Sequence, residues 1–521
     1  MTSAGEHALR GAVIAAATVA AALAGLRWLR VAQREHYLPD AASRFAVRWW
    51  IGVPANLAGL VVAVAGLLLA TRVPAAALAT AVVVALGPLG LGLRGRSAPL
   101  AWTRRLRTLA GVWAVVVVAG VAGGTVAGAG PLAAAAAALA TPALVDLAGL
   151  VLSPVERRLG RSYVVRARER LRRVGPTVVA ITGSYGKTST KGYVAHLLGG
   201  SFSVVASPAS FNNRAGLARA VNEHLAEGTE VFVAEMGTYG PGEIAELCSW
   251  VRPDVSVITA IGPVHLERFG SEERIVRAKA EILAGASSVV LVVDDPRLAA
   301  LAEACGPEVA LWRVSGTAPG PGPEGGAGPD PDVRVVEEAG GLTVSVGGDE
   351  LARAVEVDAR PGNVAAAVAV ALQLGVERAE VARRLATLPT APHRLQPGTA
   401  QGGVVVLDDT YNANPAGGRA ALAALGRLGS EARHRVLVTP GMVELGRRQA
   451  EENTRLAREA GAVATEVVVV GRTNRRALVR GADGVPVVLV RTRDQARAWV
   501  RAHTGPGDVV LYENDLPDHY P

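Results

Sequence analysis

Apolar residues are distributed along this chain in two different patterns. Up to about residue 155 they form nearly uninterrupted stretches near residues 9–29, 49–71, 73–93, 108–129 and 132–153. Each stretch approaches the roughly 20 residues that an α-helix needs to cross a bilayer. From residue 176 onward, short β-branched runs alternate with amphipathic helical segments. We therefore predict a membrane region with about five transmembrane helices at residues 1–155, followed by soluble α/β domains.

The basic residues between the predicted spans indicate how the membrane region is oriented. Five arginines lie at the end of the first span or between it and the second, namely Arg27, Arg30, Arg34, Arg44 and Arg48, and five more lie between the third and fourth spans. By contrast, the loop after the second span holds only Arg72, and the loop after the fourth holds no charge. A basic segment at residues 156–175 is predicted to be a juxtamembrane helix that rests on anionic lipid. Because cytoplasmic loops are rich in Lys and Arg, we predict a multi-pass protein of the cell (inner) membrane, with its N-terminus outside and its soluble domains in the cytoplasm.

A strand, a glycine turn and a helix follow one another at the start of the soluble part. The turn carries the motif Thr182-Gly-Ser-Tyr-Gly-Lys-Thr-Ser189. Gly183 and Gly186 let backbone N–H groups turn inward, and the start of the helix adds a positive dipole for an anion. Lys187 can reach the outer phosphates of a nucleotide, and Thr188 can ligate Mg²⁺. The motif has the shorter G-x-x-G-K-T spacing, and an ordinary glycine-rich turn is the alternative interpretation.

The chain from residue 176 to about 300 alternates between strand-like and helical segments. Strand-like runs lie at Thr177–Ile181, Phe202–Ala206, Val231–Glu235, Val255–Ile261 and Val289–Val293. This alternation predicts a parallel, doubly wound sheet, whose ligands bind beyond the carboxyl ends of the strands. Glu235 and His265 follow two of those strands, and the carboxylate of Glu235 suits Mg²⁺. Taken singly, these residues are also explained as a helix N-terminal acid and a hydrogen-bonded loop histidine.

A second, smaller α/β unit is predicted after a flexible insertion. Residues 315–332 are rich in Pro and Gly and carry no site, and residues 333–357 alternate like a small hairpin. Further strand-like runs lie at Gly403–Asp409, Arg435–Thr439, Glu466–Val470, Pro486–Val490 and Asp508–Tyr512. We therefore predict a central phosphate-loop domain with a parallel sheet at residues 176–396 and a smaller Rossmann-like α/β domain at residues 397–521.

The composition of the chain indicates which classes of molecule it binds. The 521 residues carry a formal net charge of +8, which would suit nucleic acid, but the arginines cluster beside the apolar stretches. Basic flanks of membrane spans explain this charge, so we predict a lipid bilayer as a partner and no nucleic acid. The two cysteines, Cys248 and Cys305, lie far apart, which argues against a zinc ribbon or a disulfide framework.

Several further motifs occur in the order expected of a known family. They are Asn212-Asn-Arg-Ala-Gly216, Glu235-Met-Gly, His265 through Ser271, Ala278-Lys-Ala-Glu-Ile282, Asn363, His393-Arg394, Asp408-Asp-Thr-Tyr-Asn-Ala-Asn-Pro415 and Gly441-Met-Val-Glu-Leu-Gly446. Together with the glycine motif, they resemble the Mur ligase family, and most of all its D-alanyl-D-alanine-adding branch, across residues 176–450. The resemblance implies an ATP-dependent ligase that joins an amino acid or a short peptide to a carboxylate of a cell-wall precursor.

The resemblance also implies a role for each matched residue. Nucleotide contacts are implied for Gly183, Ser184, Gly186, Lys187, Thr188, Ser189, Asn213, Asn363, Arg394 and Asp409. Catalytic roles are implied for Lys187, His265, Lys279 and Arg394. Two Mg²⁺ ions are implied, one held by Thr188 and Glu235 and the other by His265 and a carbamylated Lys279. In this chemistry the acceptor carboxylate attacks the γ-phosphate of ATP, and the incoming amine then displaces phosphate from the acyl phosphate.

Departures from the family pattern bear on the substrate. The D-alanyl-D-alanine-adding enzymes carry an N-terminal domain that grips a UDP-sugar, and here the apolar stretches occupy that place. The Pro expected after Gly216 is Ala218, and the His-Asn expected ahead of Asn363 is Ala359-Arg360. The resemblance therefore implies a UDP-linked or a lipid-linked precursor as the acceptor, and an amino acid or a dipeptide such as D-alanyl-D-alanine as the amine.

Two alternatives stay open at this point. Membrane-bound poly-γ-glutamate synthases form another branch of the family, so an amide ligase for a surface polymer or a natural product is one alternative. The other belongs to a different class, an ATP-driven membrane transporter or sensor. The predicted spans hold almost no buried charge for a substrate path, which argues against transport.

Overall fold

The chain folds into two compact units. The computed structural model describes residues 3–93, 100–208, 210–318, 330–338, 341–355, 359–389, 396–400, 402–410, 414–516 and 519–521. Unit 1 comprises Met1–Leu159, Gly471–Thr473 and Leu516–Pro521, and unit 2 comprises Gly160–Val470 and Asn474–Asp515. Unit 1 is helical, and unit 2 holds the β-sheets.

Unit 1 is built from apolar helices. They are α1 Ser3–Arg34, α2 Ala41–Gly52, α3 Pro54–Leu69, α4 Ala77–Leu86, α5 Arg104–Val126, α6 Gly130–Leu139 and α7 Thr141–Val174, whose last part belongs to unit 2. By length and composition, α1 and α5 are each able to cross a membrane. Two pairs share this composition but are bent, by 106° between α2 and α3 and by 75° between α6 and α7. The described residues thus contain two such helices, or up to four if each bent pair is one span.

Two of the predicted stretches are broken at proline residues. The stretch 49–71 breaks at Val53, because a residue that precedes proline disfavours the helical conformation and Pro54 begins α3. The stretch 132–153 breaks just before Pro142, which lacks an N–H group and clashes with a preceding helical turn. Neither stretch is the single straight helix that its apolar composition indicated.

The remaining stretches differ in length. The stretches 9–29 and 108–129 correspond to α1 and α5. Within 73–93, the apolar helical part is Pro74–Leu86, which spans about 20 Å at 1.5 Å per residue and is shorter than the bilayer core. The expectation of about five spans therefore stays a prediction.

Asp146, an acid inside a predicted span, caps a neighbouring helix. Its carboxylate oxygens accept hydrogen bonds from the backbone N–H groups of Ala42 (3.1 Å) and Ser43 (2.8 Å), in the first turn of α2. A carboxylate at this end of a helix satisfies unpaired N–H groups and complements the helix dipole. Asp146 therefore has a structural role within unit 1.

Arg27, which the sequence assigns to a cytoplasmic loop, is buried against the end of α4. Its guanidinium donates hydrogen bonds to the backbone carbonyls of Val84 (3.2 Å) and Ala85 (2.6 Å). The last carbonyls of a helix lack partners within the helix and carry partial negative charge, so a cation stabilises this end. Part of the arginine asymmetry between the loops therefore serves packing.

The C-terminal tail, Leu516–Pro521, belongs to unit 1. His519 is 1% exposed, and its Nε2 shares a hydrogen bond with the carboxylate of Glu35 (2.9 Å). The indole N–H of Trp49 donates to the carbonyl of His519 (2.8 Å), and the ring of Phe45 lies edge-on to the His519 ring, with centroids 4.8 Å apart. The tail, to which the sequence assigned no mechanism, is therefore part of the packing of unit 1.

Unit 2 contains two sheets. Over the described residues, the first has nine strands: β1 Thr177–Thr182, β2 Val204–Ala206, β3 Val231–Glu235, β4 Val255–Ile258, β5 Ser288–Val292, β6 Ala310–Ser315, β7 Val333–Glu338, β8 Gly341–Val346 and β9 Asp349–Val355. Their order is β2-β3-β1-β4-β5-β6-β7-β8-β9. The pairs from β2 to β7 are parallel, and those that join β7, β8 and β9 are antiparallel. Because β1 lies between β3 and β4, the loops that follow these three strands meet at one edge.

The second sheet is smaller. Its described strands are β10 Gln396–Thr399, β11 Val405–Asp409, β12 Arg435–Thr439, β13 Glu466–Val470, β14 Val487–Val490 and β15 Val509–Glu513. Their order is β10-β11-β15-β12-β13-β14, and every pairing except that of β10 with β11 is parallel. The predicted fold class, a parallel-sheet domain followed by a smaller α/β domain, is confirmed.

Helices cover these sheets. They are α8 Lys187–Leu198, α9 Arg214–His224, α10 Glu243–Val251, α11 Leu266–Phe269, α12 Glu272–Ala280, α13 Pro296–Glu303, α14 Pro361–Gln373, α15 Arg378–Leu385, α16 Pro415–Leu428, α17 Gln449–Gly461, α18 Arg475–Gly481 and α19 Arg493–His503. Short 3₁₀ turns lie at Pro74–Ala76, Glu281–Leu283 and Gly446–Arg448. Residues 363–371 of α14 are all buried, which accounts for a helix that is rich in Ala and Val on every side.

The prediction for the segment that completes the first sheet is partly wrong. The segment 333–357 was expected to form a hairpin, and it supplies the three strands β7, β8 and β9. The strand β6 was not predicted, because Arg313 interrupts its short apolar pattern. Within the Pro/Gly-rich insertion, residues 319–329 lie outside the described residues.

Replacing His519 with Ala is expected to destabilise unit 1. The change removes a buried ring and leaves the carboxylate of Glu35 without its hydrogen bond from the tail, which together cost about 3 kcal/mol. Thermal unfolding of the detergent-solubilised protein checks this expectation. The matched control is His224→Ala, because His224 is exposed at the end of α9. Equal melting temperatures for the two variants would contradict the packing role of the tail.

Candidate active site

The glycine motif forms a tight loop between β1 and α8. Gly183 has φ +154° and Gly186 has φ +79°, which are backbone conformations that favour glycine. A Cβ atom at Gly183 would collide with the side chain of Thr259, and one at Gly186 would collide with the side chain of Asn363. Both glycines are therefore required by the close packing around the loop.

Hydrogen bonds fix this loop to the segment that follows β4. The backbone N–H of Ser184 donates a hydrogen bond to the carbonyl of Ala260 (2.7 Å). The hydroxyl of Ser184 donates to the carbonyl of Gly262 (3.1 Å) and accepts from the N–H of Gly262 (3.0 Å). The hydroxyl of Thr259 donates to the carbonyl of Thr182 (3.2 Å). The loop is thus held in one conformation by its neighbours in the sheet.

The loop brings together two sources of positive charge. The helix α8 begins at Lys187, so its unpaired N–H groups face the loop, with Ser189 buried in the first turn. The side chain of Lys187 folds back across the loop and donates to the carbonyl of Gly183 (2.7 Å). A helix N-terminus, a lysine and an enclosed glycine loop fit the phosphates of a nucleotide.

Glu235, at the end of β3, lies beside the first turn of α8. It is 2% exposed and accepts hydrogen bonds from Thr188 Oγ1 (3.0 Å), Lys191 Nζ (3.0 Å) and Asn212 Nδ2 (3.1 Å). Burial alone would raise the pKa of Glu235, but the charge of Lys191 and the hydrogen bonds from Lys191 and Asn212 lower it. Glu235 is therefore a carboxylate at neutral pH, and its contact with Thr188 fits a shared Mg²⁺.

Lys191 and Asn212 were not among the predicted site residues. Lys191 follows Lys187 by four positions, which places both lysines on the same face of α8. Asn213, which the family resemblance places near the phosphates of the nucleotide, is exposed and caps α9 by accepting from the N–H of Gly216 (3.0 Å). Its neighbour Asn212 is the residue that contacts Glu235.

Asn363 lies in the first turn of α14 and is buried against the phosphate loop. A Cβ on Gly186 would approach the side-chain amide of Asn363 at its Cγ (2.9 Å) and Nδ2 (2.9 Å). The family resemblance places Asn363 at the adenine of the nucleotide. The structure places its amide beside the loop, and the contact with adenine stays a prediction.

Lys279, on α12, is buried close to the phosphate loop. Within the described residues its ammonium group makes no hydrogen bond or ion pair. Burial, together with the positive charge of Lys187 nearby, lowers the pKa of Lys279 well below its usual value. A neutral amine is the form that adds to CO₂, so the environment of Lys279 fits the predicted carbamate.

The chain contains three lysines, and all of them are in this site. They are Lys187, Lys191 and Lys279, among 54 Lys and Arg residues in all. The other basic residues are arginines, such as those that form ion pairs with Glu246 and Glu350. This scarcity of lysine is a sequence signal that would have identified Lys191 as a site residue.

His265 follows β4 and contacts the second α/β domain. Its Nδ1 hydrogen-bonds to the carboxylate of Glu444, which also accepts from Arg268 Nη2 (2.8 Å). Burial would raise the pKa of Glu444, but the hydrogen bond and charge of His265 and the charge of Arg268 lower it to about 2. Glu444 was matched to the family without a role, and it lies 179 residues from His265 in sequence.

The carboxyl end of the second sheet carries two acids side by side. Asp409, at the end of β11, is paired in register with Glu513, at the end of β15. Glu513 is fully buried, and its Oε2 accepts from Thr439 (2.5 Å). Burial, opposed by this hydrogen bond and assisted by the charge of Asp409, raises the pKa of Glu513 to about 7. Arg394, the remaining predicted site residue, lies outside the described residues.

The predicted metal ligands do not form one cluster. Thr188 and Glu235 are in contact, and His265 and Lys279 belong to neighbouring segments of the same edge. Over the part of the chain that the structure describes, no three His, Cys, Asp or Glu side chains are grouped as metal ligands. The assignment of two ions to these four residues therefore stays a prediction.

A phosphate loop on a doubly wound sheet, with a second α/β domain that contacts its edge, defines a nucleotide-dependent enzyme of the P-loop class. The sequence matches the family described as Mur ligase middle domain over residues 181–317. It also matches the family described as Mur ligase, glutamate ligase domain, over residues 393–512.

Individual relatives agree with these family matches. The UDP-N-acetylmuramoyl-tripeptide–D-alanyl-D-alanine ligase of Mycobacterium leprae is 37% identical over 378 residues, which cover 65% of this chain and 70% of the relative. The ligase of the same name from Mycobacterium tuberculosis strain H37Rv is 36% identical over 362 residues, with the same coverage. The crystal structure of MurF ligase from Thermotoga maritima in complex with ADP has a TM-score of 0.56 and 27% identity, and the match covers 68% of this chain and 80% of that one.

The chain belongs to the Mur ligase family. It is accordingly an ATP-dependent ligase that joins an acid to an amine, as the resemblance of its motifs implied.

Lys279→Ala is expected to remove a carbamate from the protein. With ¹³C-labelled bicarbonate, ¹³C NMR of the wild type should show a lysine carbamate signal that is absent from the variant. Because the chain has only three lysines, few other signals can arise. Ligase activity should fall by ~100-fold or more, since the change removes charge stabilisation at the site, and added acetate should restore part of it. Lys191→Arg is the control that keeps the signal. Full activity in Lys279→Ala would contradict the assignment.

Glu513 is expected to make stability depend on pH. Its folded pKa of about 7 lies above the ordinary value of 4.5, so the folded state retains the proton more strongly. The contribution of this proton to the free energy of unfolding is complete below pH 4.5. It amounts to about 3 kcal/mol and is lost as the pH rises to 7. Glu513→Gln removes the effect, so the variant should gain stability relative to wild type between pH 5 and pH 8. An equal difference in melting temperature at both pH values would contradict this expectation.

Proposed function

We propose that this chain adds D-alanyl-D-alanine to the peptide carboxylate of a cell-wall precursor at the cytoplasmic face of a membrane, using ATP. The observation that carries the proposal is the arrangement at one sheet edge, where an enclosed phosphate loop adjoins a buried carboxylate and a buried lysine. Lys187, Glu235 and Lys279 are the central residues of this arrangement.

The residues of the site fit a reaction between two anions. An oxygen of the acceptor carboxylate attacks the γ-phosphorus of ATP, and the bond to ADP breaks. The amine nitrogen then attacks the acyl carbon, loses a proton, and expels inorganic phosphate. Lys187 and the N-terminus of α8 offset the negative charge that accumulates on the transferred phosphoryl group. Mg²⁺, when bound at Thr188 and Glu235, would supply further neutralisation.

The support for D-alanyl-D-alanine as the amine comes from the relatives. The ligases to which the chain is 36–37% identical are named for the addition of D-alanyl-D-alanine to a UDP-N-acetylmuramoyl-tripeptide. The Asp408–Pro415 motif, which the sequence shares with that branch, begins at the end of β11 and includes Asp409. A single amino acid such as glutamate is the alternative amine.

Unit 1 supports a membrane location and a lipid-linked acceptor. Its helices α3, α5 and α7 expose large apolar side chains, including Val61, Leu68, Val115, Val118 and Val151. Apolar surfaces of this extent are covered in soluble proteins, and a bilayer is the cover that suits helices of this length. Both family matches lie outside unit 1 except for residues 471–473, so the matches do not account for these helices.

The proposal is tested by identifying the product. The full-length protein in nanodiscs is incubated with ATP, Mg²⁺ and D-alanyl-D-alanine or glutamate, together with a UDP-linked or a lipid-linked muramoyl tripeptide. Mass spectrometry should show an acceptor that gains the dipeptide, with one ADP and one phosphate per bond formed. Omission of either the acceptor or the amine should stop the release of phosphate.

Lys187→Ala is the control for this assay, and it should lower product formation by ~100-fold or more because it removes a cation from the transferred phosphoryl group. Transfer of glutamate in place of the dipeptide would favour the poly-γ-glutamate type of ligase. Phosphate release without any acceptor or amine, coupled to uptake into vesicles, would favour the transporter. If product forms only from the UDP-linked tripeptide, the proposal of a lipid-linked acceptor is contradicted.

A further inference from the structure

The two α/β domains of unit 2 meet at a contact that the proposed reaction does not by itself explain. The N–H of Glu267, after β4, donates to the carbonyl of Glu444, after β12 (3.3 Å). A Cβ on Gly446 would lie 3.1 Å from the backbone nitrogen of Glu267, so the two segments are in close contact. The contact therefore brings a residue of the second domain to the edge that holds the phosphate loop.

The side chain of Glu444 is engaged by two residues of the first domain. Its Oε2 hydrogen-bonds to Nδ1 of His265, and its Oε1 accepts from Arg268 (2.8 Å). The ring of Tyr239 lies edge-on to the imidazole of His265, with centroids 5.0 Å apart. Within the described residues, Nε2 of His265 makes no hydrogen bond, so this is the ring nitrogen available to a ligand.

Both residues of this pair have unusual backbone conformations. His265 has φ +59° and Glu444 has φ +63°, in the left-handed region that non-glycine residues rarely adopt. Such conformations cost free energy in residues other than glycine, and they persist where the surrounding structure requires them. Two facing residues that both carry this cost indicate that their relative placement serves a purpose beyond packing.

We propose that Glu444 is a positioning residue for His265. By accepting the Nδ1–H hydrogen bond, it sets the tautomer and the orientation of the imidazole, so that the lone pair of Nε2 faces the site. A carboxylate in this position raises the basicity of a ligating histidine. The inference rests on the proposed role of His265 as a ligand of the second cation. It also makes that ligand complete only when the second domain contributes Glu444.

The test compares three variants of the full-length protein. Glu444→Ala removes the acceptor, Glu444→Gln keeps an oxygen for Nδ1–H, and Arg448→Gln breaks the neighbouring ion pair with Glu272 (2.5 Å) without touching His265. Binding of a non-hydrolysable ATP analogue is measured as Mg²⁺ is titrated. Glu444→Ala should raise the Mg²⁺ concentration for half-maximal binding by ~10–100-fold, Glu444→Gln by less, and Arg448→Gln hardly at all.

A second measurement reports on the ring itself. In ¹⁵N NMR of the metal-free protein, the His265 signal, assigned by its loss in His265→Gln, should show the Nδ1–H tautomer in wild type and in Glu444→Gln. In Glu444→Ala it should show a mixture of tautomers.

Equal effects of Glu444→Ala and Arg448→Gln on the Mg²⁺ titration, or an unchanged tautomer in Glu444→Ala, would overturn the proposal. Neither measurement uses the acceptor or the amine, so a failure of the proposed ligation would not be confused with a failure here.

Discussion

The buried carboxylate of Glu235 is the constraint on which the site depends. An ionised carboxylate that is 2% exposed is stable only if it is paired and hydrogen-bonded, and here three donors from two segments converge on it. Two of the donors, Thr188 and Lys191, belong to α8, and the third, Asn212, precedes α9. The carboxylate therefore ties the end of β3 to the helix of the phosphate loop, and this fixes the direction in which the loop presents its N–H groups.

The distribution of lysine follows from chemistry that arginine cannot perform. Arginine keeps its charge in proteins, whereas the pKa of a lysine falls readily when the side chain is buried without an opposite charge beside it. Lys279 would need to be neutral to form the predicted carbamate, and burial beside Lys187 lowers its pKa in that direction. Lys187 and Lys191 present compact charges that fit a narrow loop. In a chain that otherwise uses arginine, the three lysines therefore mark the site.

Local sequence patterns predicted most of the fold, but they could not predict contacts between residues that lie far apart in the sequence. The glycine motif and the β-branched runs identified both sheets, because turn geometry and strand burial are encoded within a few residues. The break at Val53 was visible in principle as a residue before proline. The strand β6 was missed because Arg313 interrupts its short apolar run. The pairing of His265 with Glu444 spans 179 residues, and nothing local to either residue indicates it.

The two units differ in the surfaces and the residues that they provide. Unit 2 carries the phosphate loop and the residues that fit the chemistry, whereas unit 1 carries the helices with exposed apolar side chains. If the acceptor is anchored in the same bilayer, its encounter with the enzyme is confined to a surface, and its effective concentration rises without any new contact. A grip on a soluble UDP-sugar is then not needed for affinity. If the proposed function holds, this argument explains how a member of the Mur ligase family can use apolar helices in place of a nucleotide-sugar domain.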